Sequence, residues 1–305
     1  MRVLLGGATG AIGRPLVRRL VGAGHDVVGL TRRPERAREV DAAGARGVVC
    51  DVVDRAATLA IADEVRPDVV LDETTALPQR YDPRKMWEFY EGMVDLRLRG
   101  TPNLIEAAQA TGARIAFQSI AFMYAPVEDG RLCTEEDPPY ERGAPFPWDL
   151  ALPAIIALER RVVDLGGLVL RYGMFYGPGT HFDGGQIQHD VRRRRMPIVG
   201  KGTGRFPFIH VDDAAAATVL ALERGTTGIL NVVDDEPLAM REWLPLYARA
   251  IRAPRPLRVP AWPVRRMMPL AAHWATTLPG ASNARARREL GWTPARPSVR
   301  EGFPG

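Results

Sequence analysis

Short apolar runs alternate along the first half of the chain with longer segments whose apolar residues recur every three or four positions. The runs RVLLG (2–6), HDVVGLT (25–31), GVVC (47–50), DVVLDE (68–73), ARIAFQS (113–119) and LVLRYG (168–173) predict buried strands. Between them, residues 11–24, 34–44, 55–65, 83–111 and 149–165 carry the helical period. The helix at 34 opens on Pro and the one ending at 24 closes on Gly, as helix ends favour. Strand–helix–strand units in this order predict an α/β fold, a doubly wound parallel sheet of the Rossmann type. The rhythm breaks after residue 173, where Gly, Pro and aromatic residues thicken in GMFYGPGTHFDGG. GILNVVD (228–234) is expected to rejoin the sheet, and the tail from 235 reads as helical with many prolines.

The first strand runs straight into GGATGAIG. Gly7, Gly10 and Gly13 are spaced to turn the chain, to let backbone approach a pyrophosphate, and to let helix pack on strand. Thr9 and Ile12 lie within the same loop, and the helix that Ile12 and Gly13 open offers free N–H groups to an anion. Glycines in this strand–turn–helix setting predict dinucleotide binding. The second strand ends in Thr31, Arg32 and Arg33, where a carboxylate would hold the ribose hydroxyls of NAD(H). Guanidinium groups there fit a 2′-phosphate, so NADP(H) is expected over NAD(H), unless the arginines are merely solvated. Asp51, with Val52 beside it, is placed to accept from the adenine amino group, or else to cap the next helix. Residues 1–172 are read as the NADP-binding Rossmann domain, its sheet completed from 205–234. Residues 173–204 and 235–305 are read as a smaller, mostly helical substrate lobe.

Composition changes this little. The 305 residues carry a net charge of +5, almost all the positive charge being Arg. The cluster Arg192 to Arg195 reads as a solvated helix end or as a contact for an anionic ligand. No recognition-helix or zinc-finger pattern accompanies it, so nucleic acid is not expected as a partner. No apolar run approaches the ~20 residues that span a bilayer, and no cleavage site follows a clean apolar core, so a cytoplasmic protein off the membrane is expected. Cys50 and Cys133 are too few and too isolated for a disulfide framework or a metal site.

These features together resemble the extended short-chain dehydrogenase/reductase family, also called the NAD-dependent epimerase/dehydratase family. The resemblance runs through GATGAIG, CDVVD, RGTPNLIEAA, FQSIAFMYA, LRYGMFYGPGT, FPFIHVDDAAAATVLALE and NARARRELGWTP, nearly the whole chain. It implies a catalytic Tyr and Lys on the helix after the fifth strand. Taking Glu159 as the family's Glu on that helix, those positions are Ala151 and Ile155 here. The catalytic Ser or Thr falls on Ile120, next to Ser119, and the helix-four Asn falls on Arg97. Tyr81 and Lys85 in YDPRK form the chain's one Tyr-x-x-x-Lys. They lie after the fourth strand, away from the catalytic strand, and are read as a chance match.

Chemistry must then come from other residues at the carboxyl ends of the strands. Thr74, Thr75 and Ser119 are expected at the cofactor. Tyr124 is the first candidate for proton donor, with Asp149 and His181 behind it. Each has a plain alternative: a structural Tyr, a helix cap and a surface-loop His. Met123, Phe146, Trp148, Tyr172, Phe175 and Tyr176 are expected to line an apolar or aromatic substrate pocket. The family's sugar-nucleotide enzymes use an Arg where this chain has Phe206, which lowers the weight of such substrates, although Arg205 and Arg192 to Arg195 keep them open. The expected activity is NADP(H)-dependent oxidation or reduction of a small apolar or aromatic metabolite by a mechanism without Tyr and Lys. A redox-neutral epimerase, dehydratase or cyclase and a non-catalytic NADP sensor stand as alternatives. Relatives often pair their fourth and fifth helices, so MWEFYEGMVDL and LALPAIIALERRV are the candidate faces of a homodimer.

Overall fold

The computed structural model describes residues 1–77, 86–127, 129–140 and 143–303. Its first half alternates strand and helix: β1 (Arg2–Gly6), α1 (Gly13–Gly22), β2 (Asp26–Thr31), α2 (Pro34–Ala42), β3 (Arg46–Val49), α3 (Arg55–Val65) and β4 (Val69–Asp72). Then come α4 (Met86–Asp95), a π-helical turn (Leu96–Gly100), α5 (Thr101–Thr111), β5 (Arg114–Ile120), α6 (Trp148–Asp164) and β6 (Leu168–Tyr172). The expected long helix is thus one rod with a π turn set into it. Pro102 supplies a reason, since it has no N–H to give to the preceding turn.

The second half has β7 (Met174–Tyr176), α7 (Gln186–Arg192), β8 (Ile198–Val199), β9 (Arg205–Phe206), β10 (Phe208–His210), α8 (Val211–Glu223) and β11 (Gly228–Val232). It closes with β12 (Leu238–Ala239), α9 (Met240–Ala250), β13 (Arg258–Val259), α10 (Ala261–Met267), α11 (Pro269–Thr277), α12 (Ala284–Leu290) and α13 (Val299–Gly302).

Seven parallel strands form the main sheet in the order β11-β6-β5-β4-β1-β2-β3. The order reverses between β1 and β4, which opens a crevice at their carboxyl ends. Alternate residues of each strand face opposite layers. Leu5, Leu71, Ala116 and Leu170 pack with α1 and α8, whereas Leu4, Val70, Phe117 and Val169 pack with α3, α5 and α6. A separate core of Phe182, Phe206, Phe208, Trp243, Tyr247 and Phe303 holds the later elements together. Among the described residues no helix is long and apolar enough to cross a membrane.

Candidate active site

The crevice is walled at one end by the glycine loop. Gly7 has a φ of +81°, and a side chain there would put Cβ 2.3 Å from the Glu73 carbonyl oxygen. A Cβ on Gly13 would lie 2.1 Å from the Gly7 carbonyl oxygen. Gly10 N–H donates to that same carbonyl, which closes the turn and points the start of α1 at the crevice. The buried Ile12 side chain pins the helix start to the core, and Thr9 rides on the turn half-exposed. This backbone cradle fits a dinucleotide: side chains are excluded and the N–H end of α1 is presented.

Around the cradle stand the other residues expected at a cofactor. Arg32 and Arg33 are exposed after β2 and enter no ion pair among the described residues. Arg36 and Arg14 are instead held by Glu39. Asp54, not Asp51, caps α3, and Asp51 stays exposed at the end of β3. Val52 is buried and gives its carbonyl to Asn103. The Thr74 hydroxyl donates to Asp72, which also accepts from Thr101, while Thr75 is exposed. Ser119 Oγ is buried at the end of β5 and has no hydrogen-bond partner among the described residues. A buried hydroxyl without a partner is costly, and a bound ligand group would satisfy it.

Behind the cradle lies Glu73, wholly buried. It accepts from Tyr172 Oη at 2.8 Å and, in the amide orientation that satisfies both groups, from Gln118. Burial pushes its carboxyl up to about 8. On the opposite sheet face Arg97 lies over the Phe117 ring, 3.9 Å from Asp72, and burial lowers its pKa.

The far end of the crevice is apolar. Ala151 and Ile155, at the family's Tyr and Lys positions, are buried on the inner face of α6. Ile155 packs with Met123, Trp148, Leu152 and Ile156, and Ile120, Phe122, Tyr140 and Trp274 lie against them. Phe122 stacks on Trp148 at 5.8 Å between ring centroids, and Trp274 meets both rings edge-on at 5.7 and 5.2 Å. Met123 and Trp148, expected at a substrate pocket, are buried members of this cluster. Trp274 was missed, because it arrives on α11 from a segment without a motif.

Several expected site residues are placed elsewhere. Tyr124 is fully buried; its hydroxyl donates to Asn231 Oδ1 at 2.7 Å and accepts from Arg171, which forks onto Glu159 at 2.9 and 2.6 Å. This network ties the segment after β5 to α6, β6 and β11, and because the hydroxyl's hydrogen bonds are all taken up within it, Tyr124 is placed as a structural group. Asp149 is exposed on the outer side of α6, where it favours the helix start without facing the crevice. His181 is half-buried on the 177–185 turn, next to Phe182 of the second core. Tyr172 faces α8, where its hydroxyl also meets Thr218 at 2.6 Å, and Phe175 packs beside it at 5.1 Å. Tyr176 is buried among Phe208, His210 and Phe303. Tyr172 is fixed by β6 of the main sheet, and Gly173 lets β7 press against the Phe208 backbone and pair with β10, so all three rings enter the cores rather than a pocket. Phe146 is exposed. Arg205 donates to the carbonyls of Gly130 and Arg131, and Arg192 to Arg195 are exposed at the end of α7. Tyr81 and Lys85 lie outside the described residues.

A model of the NAD dependent epimerase/dehydratase family matches residues 3–232. The chain is 46% identical over 311 aligned residues to a 3-diazoavenalumate denitrifying reductase of a Streptomyces species, covering 99% of each. It is 26% identical to the 2-alkyl-3-oxoalkanoate reductase of Stenotrophomonas maltophilia, covering 99% of this chain and 97% of that one. Its fold is like that of the UDP-glucose 4-epimerase of Thermus thermophilus in complex with NAD, with a TM-score of 0.76, 24% identity, and 99% and 96% of the two chains covered.

Proposed function

This chain belongs to the NAD-dependent epimerase/dehydratase family, and we propose that within it the protein is an NADP(H)-dependent reductase of a small apolar or aromatic diazo compound. Membership makes it an oxidoreductase or epimerase-like enzyme. One observation carries the finer reading: Ala151, Ile155, Ile120 and an aromatic wall of Phe122, Trp148 and Trp274 occupy the place of the usual acid/base pair. The 46% identical relative, a diazo-compound denitrifying reductase, supports the substrate class.

The chemistry suits such a wall. When a carbonyl is reduced, negative charge builds on its oxygen and needs a placed donor at the reacting carbon. When a diazo group is reduced, the C–N bonding pair departs on neutral N2 and no charge is left on that carbon. The glycine cradle, Ser119 and Thr75 would hold the cofactor, whose nicotinamide supplies the hydride when bound. The substrate gains one hydride, which forms a C–H bond as N2 leaves. It also gains one proton, on the same carbon or on an oxygen conjugated with it. Aromatic rings around the reacting carbon exclude water and accept a flat substrate. Exposed Arg32 and Arg33, with Thr31 in place of a carboxylate, support NADP(H).

The test is to mix the protein with NADPH or NADH and 4-diazophenol, a neutral quinone diazide, and to follow cofactor oxidation and N2 release. One N2 per NADPH oxidised is expected, with NADH at least ~10-fold poorer and with that preference lost in Arg32→Ala/Arg33→Ala. Oxidation of NADPH by a 2-alkyl-3-oxo ester but not by the diazo probe would move the substrate to the carbonyl class. Turnover of neither would overturn the reductase reading.

A further inference from the structure

We infer that Tyr140 and His273 form the proton-delivery dyad of this site, an assignment that rests on the reductase reading above. Tyr140 lies on the segment between β5 and α6. Its N–H donates to the Met123 carbonyl at 2.9 Å, and its half-buried ring lies against the apolar cluster that contains Ile155. His273 comes from α11, one residue before Trp274, so a single helix delivers both the aromatic wall and the imidazole. Tyr140 Oη is 3.2 Å from His273 Nε2, with the rings edge-on at 5.2 Å.

The tautomer follows from the next turn of α11. Thr277 Oγ1 lies 2.9 Å from the His273 carbonyl and 2.6 Å from His273 Nδ1. A hydroxyl has one proton to give. Given to the carbonyl, as in the usual helical back-bond, it leaves the oxygen to accept from Nδ1–H. Nε2 is then the bare nitrogen that receives the Tyr140 hydrogen. When His273 takes a proton, Nε2–H donates to the phenol oxygen instead, and the Tyr140 hydrogen is released toward the crevice.

In the protonated dyad the Tyr140 O–H proton passes to the substrate while Nε2–H restores the phenol. One proton leaves the dyad for each hydride delivered and each N2 lost, and solvent recharges His273. Burial keeps the phenol up at about 12, so it remains a donor throughout the neutral range. Burial alone lowers the His273 pKa. The elements packed on α11 carry charges at Arg265 and Arg266 of α10 and Arg205 of β9, and none contributes to that shift. Nearer Tyr140, Asp137 is engaged by Arg131. Turnover therefore falls as pH rises through the lowered His273 pKa.

The experiment uses the full-length protein, Tyr140→Phe and His273→Gln. In single turnover with NADPH and 4-diazophenol, Tyr140→Phe is expected to slow N2 release by ~100-fold with NADPH affinity unchanged. His273→Gln is expected to lose the pH dependence with a smaller, roughly tenfold loss at low pH. If only the 2-alkyl-3-oxo ester is turned over, the same variants are compared on that substrate. Wild-type rate and pH profile in Tyr140→Phe would overturn the dyad while leaving the reductase reading intact. The pairing has its own readout in the cofactor-free protein. The His273 imidazole titration, followed by NMR, is expected to move in Tyr140→Phe. An unmoved titration overturns the pairing whatever the substrate proves to be.

Discussion

The two ends of the crevice are built from different materials. At the glycine loop the binding surface is backbone: a turn at Gly7, a close approach at Gly13 and the N–H end of α1. At the α6 end it is side chains, with Ala151, Ile155, Met123, Trp148 and Trp274 meeting from three parts of the chain. Backbone geometry tolerates few residue types, so the first end is fixed by glycine. A side-chain wall can be rewritten while the helix beneath it stays in place. On the proposed reading, the chain keeps its family's nucleotide frame and exchanges the chemistry set upon it.

The largest test of that contrast is Gly13→Val. Its Cβ would sit 2.1 Å from the Gly7 carbonyl oxygen, and both atoms belong to rigid backbone. Strain of about 3 kcal/mol or more is expected, seen as a ~100-fold or greater loss of NADPH affinity by fluorescence titration. Near-normal binding would mean that the loop is not the cradle. Next comes Ile155→Lys, which puts the family's lysine back. In this apolar surround an ammonium lacks a partner, so a loss of about 2–3 kcal/mol in urea unfolding is expected, with no gain in turnover. A stable variant with enhanced carbonyl reduction would show that the wall is a vacant acid/base site, and the contrast would fail.

The same division explains what could be read from the chain. The strands β1 to β6 were legible because their apolar runs are continuous and bounded by turn residues, and α3 was legible as RAATLAIADEV, although its cap is Asp54 and not Asp51. The glycine loop was legible because its residue type and its geometry are one signal. The wall was only half legible. Met123 follows a strand and Trp148 opens a helix, so local sequence gives their place in the chain but not the cluster they pack into. Phe175 and Tyr176 stand on a stretch just as aromatic, yet their direction is set by pairing with Phe208–His210, far along the chain. Tyr140, His273 and Trp274 meet only through the tertiary fold, and no spacing in the sequence announces them.

The smallest expected effect separates the two tyrosines that could be called the acid. Tyr124→Phe leaves Asn231 Oδ1 and one Arg171 nitrogen short of a partner in a buried network. A loss of about 1–2 kcal/mol of stability is expected, measured by urea unfolding, because the ring and its contact with the Arg171 guanidinium remain. Turnover and its pH profile should stay with the wild type, since the hydroxyl faces Asn231 and Arg171 rather than the crevice. Tyr140→Phe should do the reverse, costing rate and little stability, as its ring is half-buried and loses one hydrogen bond to His273. If Tyr124→Phe slowed turnover tenfold without loss of stability, the acid would lie beneath β5 and the α11 side would serve only as wall. The side-chain end would then have kept one of the frame's own residues for its chemistry, and the exchange of chemistry would be less complete than the tetrad positions indicate.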